Sequence, residues 1–118
     1  MVDVRLHGRL GVGQGRFLID TGSPVTIVDP SLVDSLGYGA RQSQLKYSRL
    51  HGAGDDTSLG YVLTVQAFEA FGIECSSIDV HVHDMPTEES IDGLLGMDWL
   101  LEHVFTFDGP AGVMELVR

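Results

Sequence analysis

Residues Phe17-Leu18-Ile19-Asp20-Thr21-Gly22-Ser23 combine types that suit acid–base chemistry. Three consecutive apolar residues read as a buried strand, which delivers Asp20 to a turn that Gly22 permits. An ionised carboxylate among apolar groups is poorly solvated. Burying it is costly unless it is hydrogen-bonded or changes its proton affinity. Thr21 and Ser23 place hydroxyls on either side, and no side chain shields the Gly22 N–H. Asp-Thr-Gly-Ser would also suit a plain turn, because all four types favour turns and Asp often bonds the backbone two residues on. The apolar run in front of it favours an acid held in a dry place for proton transfer.

Other chemistry-bearing residues are less organised. His81 and His83 share one face of a predicted strand and could take a metal with Asp84 or His103. No third ligand is secure, and a polar face is the simpler reading; no metal or other cofactor is expected. His51, in a glycine-rich stretch, reads as a solvated loop histidine. Cys75 lacks basic neighbours and reads as a packing residue. Gly8, Gly11, Gly13 and Gly15 do not fit the G-x-G-x-x-G phosphate cradle, so a hairpin leading into Phe17 is expected there.

The elements that must position Asp20 fit within 118 residues, enough for one domain that buries roughly two-thirds of its unfolded surface. An apolar fraction of 43% suits a globular core, and fifteen glycines imply many turns. The net charge of −10, with seven scattered basic residues, argues against nucleic-acid or anionic-membrane partners. A single cysteine excludes an internal disulfide and fits a reducing compartment. The chain holds no membrane-spanning run, and its start lacks a signal-peptide layout. A cytoplasmic setting is therefore favoured, although the chain could be a domain cut from a longer protein.

Val2, Val4 and Leu6 alternate with Asp3, Arg5 and His7 as in a half-buried strand. Val25–Val28 is extended and β-branched. Asp29-Pro30 then predicts a capped helix start, with Leu32, Val33 and Leu36 on one face and Gly37 as the stop. Lys46–Val65 reads as a long hairpin with Leu50-His51-Gly52-Ala53-Gly54 at its tip. Residues 67–83 form a second strand pair hinged near Phe71-Gly72. A short helix is expected over Met97–His103, with Trp99 and Leu100 inward. Closing strands follow at Val104–Asp108 and Val113–Val117. The whole is mainly β.

At Asp20-Thr21-Gly22-Ser23 the chain resembles the aspartic proteases, whose motif is two apolar residues, Asp, Thr or Ser, Gly, then Ser or Ala. Ile91-Asp92-Gly93-Leu94-Leu95-Gly96 resembles their second motif, two apolar residues and glycine on a strand beside the catalytic loop. In that role Leu94 and Leu95 would pack against the catalytic strand while Gly96 allows close backbone approach. The order of elements is similar to single-lobe, retropepsin-like members over nearly the whole chain. Ile91–Leu101 and the Asp-Met-Pro loop most resemble bacterial ones. The resemblance implies a retropepsin-like domain over residues 1–118, built as a closed β barrel with one or two short helices. It further implies a peptide or protein substrate, Asp20, Thr21 and Gly22 as catalytic residues, and a flap over substrate at His51, Gly52, Ala53 and Gly54, with Ser23 as a further substrate contact.

Only one Asp-Thr-Gly exists here, whereas this chemistry uses two carboxylates. The expectation is a homodimer through the Asp20 loop and the chain termini, with one Asp20 from each copy on a two-fold axis. Carboxylates about 3 Å apart repel by roughly 5 kcal/mol at an effective dielectric near 20. Sharing one proton is the established behaviour of aspartic-protease dyads. By the same resemblance Thr21 would brace the two loops, and Ser23 could donate to the Asp20 carboxylate. The retroviral members pair an arginine after the second glycine with an acid after the catalytic triplet. Here Met97 and Pro24 stand at those positions. That departure keeps a second expectation open, a catalytically inactive peptide-binding or dimerisation module with the same fold. A zinc-binding protein is the third.

Overall fold

The alternation at the start of the chain becomes strand β1 (Val2–Gly8), paired antiparallel with β2 (Gly11–Ile19) through a turn at Arg9-Leu10. The computed structural model describes residues 1–38, 46–51, 57–85 and 90–117, with backbone alone at 46–51, 57, 58, 107, 108 and 113. After β2 come β3 (Ile27–Val28), helix α1 (Pro30–Ser35), β4 (Lys46–His51), β5 (Thr57–Ala70) and β6 (Ile73–Val82). The chain ends with β7 (Gly93–Leu95), α2 (Met97–Leu100), β8 (Val104–Asp108) and β9 (Val113–Val117).

Neighbouring strands run β1-β2-β7-β3-β6-β5, and β5 pairs again with β1, which closes six strands into a barrel. The closing pairs are Val4–His7 against Ala67–Ala70, while the first half of the long β5 carries β4 outside the ring. Val4, Leu6, Phe17, Val28, Leu63, Val65, Phe68, Val80, Val82 and Leu95 are buried. Phe17 and Phe68 meet edge to face at 6.1 Å. Burial of a side chain of this size contributes roughly 1.5–3 kcal/mol, so the alternation itself drives closure. Phe71-Gly72 makes the β5–β6 turn with φ of 55° and 76°, the left-handed pair that a two-residue hairpin demands.

Helix α1 begins as expected, with the Asp29 carboxylate accepting from Ser31 N–H and Pro30 in the first turn. It packs on the β1–β2 hairpin where the glycines lie. A Cβ at Gly8 would come 2.4 Å from Leu36 O, and one at Gly15 would come 2.9 Å from the Leu32 side chain. The glycine-rich stretch is therefore a hairpin with a shelf for α1, and its small residues are needed for space. Tyr38, for which local pattern predicts only a loop, is buried. Its hydroxyl donates to His7 O and accepts from Gln66 N–H, joining β1 to β5.

Two other expectations change. Leu18 is 40% exposed and Ile19 half-buried, so Phe17–Ile19 is an alternating strand with one side chain turned outward. His83, expected on a polar face, is buried against Gly60 just beyond the end of β6. The C-terminal strands form their own two-stranded sheet, whose Phe105 packs against Phe71 and Trp99.

Candidate active site

The site follows from one topological fact. Strand β7 lies between β2 and β3, parallel to the first and antiparallel to the second. The chain joining β2 to β3 must therefore arch over the end of β7, across about 10 Å, twice the usual strand spacing. Asp20–Thr26 is that arch. Its near end is tied by Asp20 N–H to Leu95 O at 3.0 Å. Beneath its crown Gly96 brings the backbones together: a Cβ there would stand 2.2 Å from Val25 O. The first N–H groups of α2 then point up into the arch, Met97 N–H donating to Ser23 O and Asp98 N–H to Pro24 O.

Asp20 is half-buried at the mouth of the barrel. Gly22 N–H donates to Asp20 Oδ1 at 2.8 Å, and Ser23 N–H donates to Asp20 O at 3.2 Å, so a tight turn fixes the carboxylate. A Cβ at Gly22 would be 3.1 Å from that carboxylate oxygen, closer than ordinary contacts. Thr21 and Gly22 are exposed, facing away from the barrel's interior contacts. Ser23 differs from expectation. It is buried, and its hydroxyl donates to Val25 O at 2.7 Å instead of to Asp20. The oxygen turns inward because the arch has a carbonyl to satisfy there.

Leu94 and Leu95 pair with Leu18 and Ile19, with Leu95 buried and Leu94 half-buried. The other end of β7 is also tied. Asp92 Oδ2 accepts Arg16 N–H at 2.9 Å, and Asp92 O accepts Asp29 N–H at 2.8 Å. Asp29 holds three donors, Ser31 N–H, Ser31 Oγ–H and Met85 N–H. Partial burial pulls its proton affinity up, but these three bonds outweigh it and leave the carboxyl below its ordinary value. The hairpin of β4 and β5 exists with His51 opposite Thr57, while the His51 side chain and Gly52, Ala53 and Gly54 lie outside the described residues.

Sequence reasoning missed Thr26 and Asp98, which stand 72 residues apart. Thr26 is fully buried, and Asp98 receives its N–H at 3.0 Å and its hydroxyl at 2.7 Å. A groove of about 370 Å³ is lined by Cys75, Ile78, Asp79, Asp98, Trp99 and Glu102; Asp20 is not in its wall. Among the described residues no group of three or more His, Cys, Asp or Glu is placed to hold a metal ion. None of their helices is long and apolar enough to cross a membrane.

A six-stranded closed barrel that presents an Asp-Thr-Gly arch over a Leu-Leu-Gly strand defines a single-lobe acid-protease fold. The family model for aspartyl protease matches residues 2–99, and the chain belongs to that family, with the retropepsin-like form of its fold. The crystal structure of a retropepsin-like aspartic protease from Rickettsia conorii is similar over 96% of this chain and 87% of that one. Its TM-score is 0.64 and its sequence identity 21%. No curated protein matches significantly.

Proposed function

We propose that the chain is an aspartic endopeptidase that works as a homodimer, with one Asp20 from each copy forming the catalytic pair. The observation that carries this reading is the arch itself: a single carboxylate, held by Gly22 N–H and tied to Leu95, at the mouth of a barrel from a family of proteases. Exposed Thr21 and Gly22 are available to meet a second copy. The terminal hairpin supports the same arrangement. Val104 and Val117 are register partners, 65% and 47% exposed, and Leu101, three residues before Val104, is 74% exposed. A two-stranded sheet of this kind is marginal alone and gains by joining another.

In the dimer one Asp20 is ionised and its twin protonated. The ionised carboxylate takes a proton from a water whose oxygen attacks the peptide carbonyl carbon. The protonated twin gives its proton to the carbonyl oxygen, which produces a neutral gem-diol. The Asp20 that took the water's proton then gives it to the amide nitrogen as the C–N bond breaks, while a gem-diol hydroxyl returns a proton to the other Asp20. This leaves a carboxylic acid, an amine and a pair that again holds one proton. The substrate is an extended peptide lying under the β4–β5 hairpin, where Gly52, Ala53 and Gly54 would let backbones approach closely. Leu18, 40% exposed and two residues before Asp20, offers it an apolar contact.

Asp20→Asn should abolish cleavage of a peptide library while leaving the fold intact by circular dichroism. A statine-type peptide should inhibit the native chain at acid pH. Unchanged cleavage by the variant removes the mechanism; a native chain that binds peptide and cleaves none establishes the binding-module alternative.

A further inference from the structure

We propose that Asp98 is the positioning residue for Asp20, and that it must be a carboxylate; this deepens the catalytic reading above and rests on it. Three donors converge on its two oxygens. Thr26 N–H reaches Oδ2 at 3.0 Å, while Thr26 Oγ1–H and Trp99 N–H reach Oδ1 at 2.7 and 2.8 Å. A carboxylate can only accept, so the one hydroxyl proton goes to Asp98, while a lone pair of Thr26 Oγ1 takes Gly96 N–H at 3.2 Å.

Such a pattern disfavours the isosteric amide. In Asp98→Asn, an amide with its oxygen at the Oδ1 position would set its NH₂ group against Thr26 N–H. With the amide turned over, the NH₂ group would face Trp99 N–H, which would keep only its longer bond to Gly96 O at 3.2 Å. Either orientation loses a bond that a carboxylate, accepting on both sides, makes.

The consequence for Asp20 comes from where the arch is anchored. Its near end is held by Leu95 O, through Asp20 N–H, and its far end by Asp98, through Thr26. Both anchors lie within Leu95–Asp98, so this short segment sets the separation of the two ends. Asp98 N–H and Met97 N–H also hold the carbonyls of Pro24 and Ser23 between them. Thr26 O also accepts His81 N–H at 2.9 Å, so loss of the Asp98 bonds loosens the far end without detaching it, and the Asp20 carboxylate shifts relative to a bound peptide. A misplacement of about 1 Å lowers a rate on the order of a hundredfold.

The experiment compares the full native chain with Asp98→Asn, Thr26→Val and Thr26→Ser. It reads kcat and KM for one peptide, amide hydrogen exchange at residues 20–26, and sedimentation. For Asp98→Asn the expected result is kcat lower by on the order of a hundredfold, KM nearly unchanged, and faster exchange at Gly22 and Ser23 in a dimer of native mass. Thr26→Val keeps Thr26 N–H on Asp98 and loses only the hydroxyl bonds, so its kcat should fall by part of that amount, and Thr26→Ser should retain activity. Native kcat and native exchange in Asp98→Asn overturn the proposal. If that variant does not fold, native kcat in Thr26→Val overturns it instead. If the native chain cleaves nothing, the protease reading falls, while exchange at residues 22 and 23 still decides whether Asp98 holds the arch.

Discussion

Asp20 and Gly22 were legible as residues because their relation is local: a carboxylate and the N–H two positions on form the turn that their types favour. Ser23 was not, since its hydroxyl had a choice of acceptors and only the folded arch put Val25 O within reach. His83 is a second case. Alternation assigned it to a polar face, yet it sits just past the end of β6, packed against Gly60. Burial, and then the repulsion of a charged His81, push its proton affinity down against the pull of Asp84. The unfolded chain therefore takes up this proton first, near the ordinary value of 6.5. The stability that neutral His83 contributes is fully present above about pH 6.5 and is lost as pH falls towards the lower folded-state value. Urea midpoints should decline across this interval in the native chain, and His83→Gln should flatten the decline. An unchanged slope would assign the acid sensitivity to other groups.

At the scale of elements the three-residue β7 governs the site. Ladders flank it on both sides, and a glycine stands at its first residue and another just after its last. The two apolar residues and the glycine were readable as a packed strand with a close approach; that the approach is to Val25 was not. Gly96 has φ of −96°, which any residue adopts, so its requirement is for space alone. Gly96→Ala would put a methyl carbon 2.2 Å from Val25 O, a contact that only a shift of the arch relieves. The expected cost is at or above the top of the roughly 1–3 kcal/mol range for overpacking. Thermal unfolding should register it, and a variant of native stability would show that the arch yields easily.

For the whole molecule the decisive property is association. Each copy carries a net charge of −10, so two copies repel at long range, and salt should tighten the proposed dimer by screening that repulsion. Activity per chain should fall on dilution through the dissociation constant, in step with sedimentation. Val117→Lys places a charge on the exposed apolar pair of the terminal hairpin and should shift the equilibrium towards monomer while leaving the barrel folded. A dimer of unchanged strength would place the contact elsewhere.

By itself the amino-acid order determined the strands, the start of α1, the Asp20 turn and the likeness to a protease family. These depend on period, on caps and on turn types, all of which act over a few neighbouring residues. Only the tertiary structure decided that β7 threads between β2 and β3, that Tyr38 joins β1 to β5, and that Asp98 meets Thr26. Those contacts link residues far apart in the chain, and no local preference specifies them. They arise because a sheet that closes on itself leaves particular backbone donors and acceptors facing one another, and burial requires each to be paired.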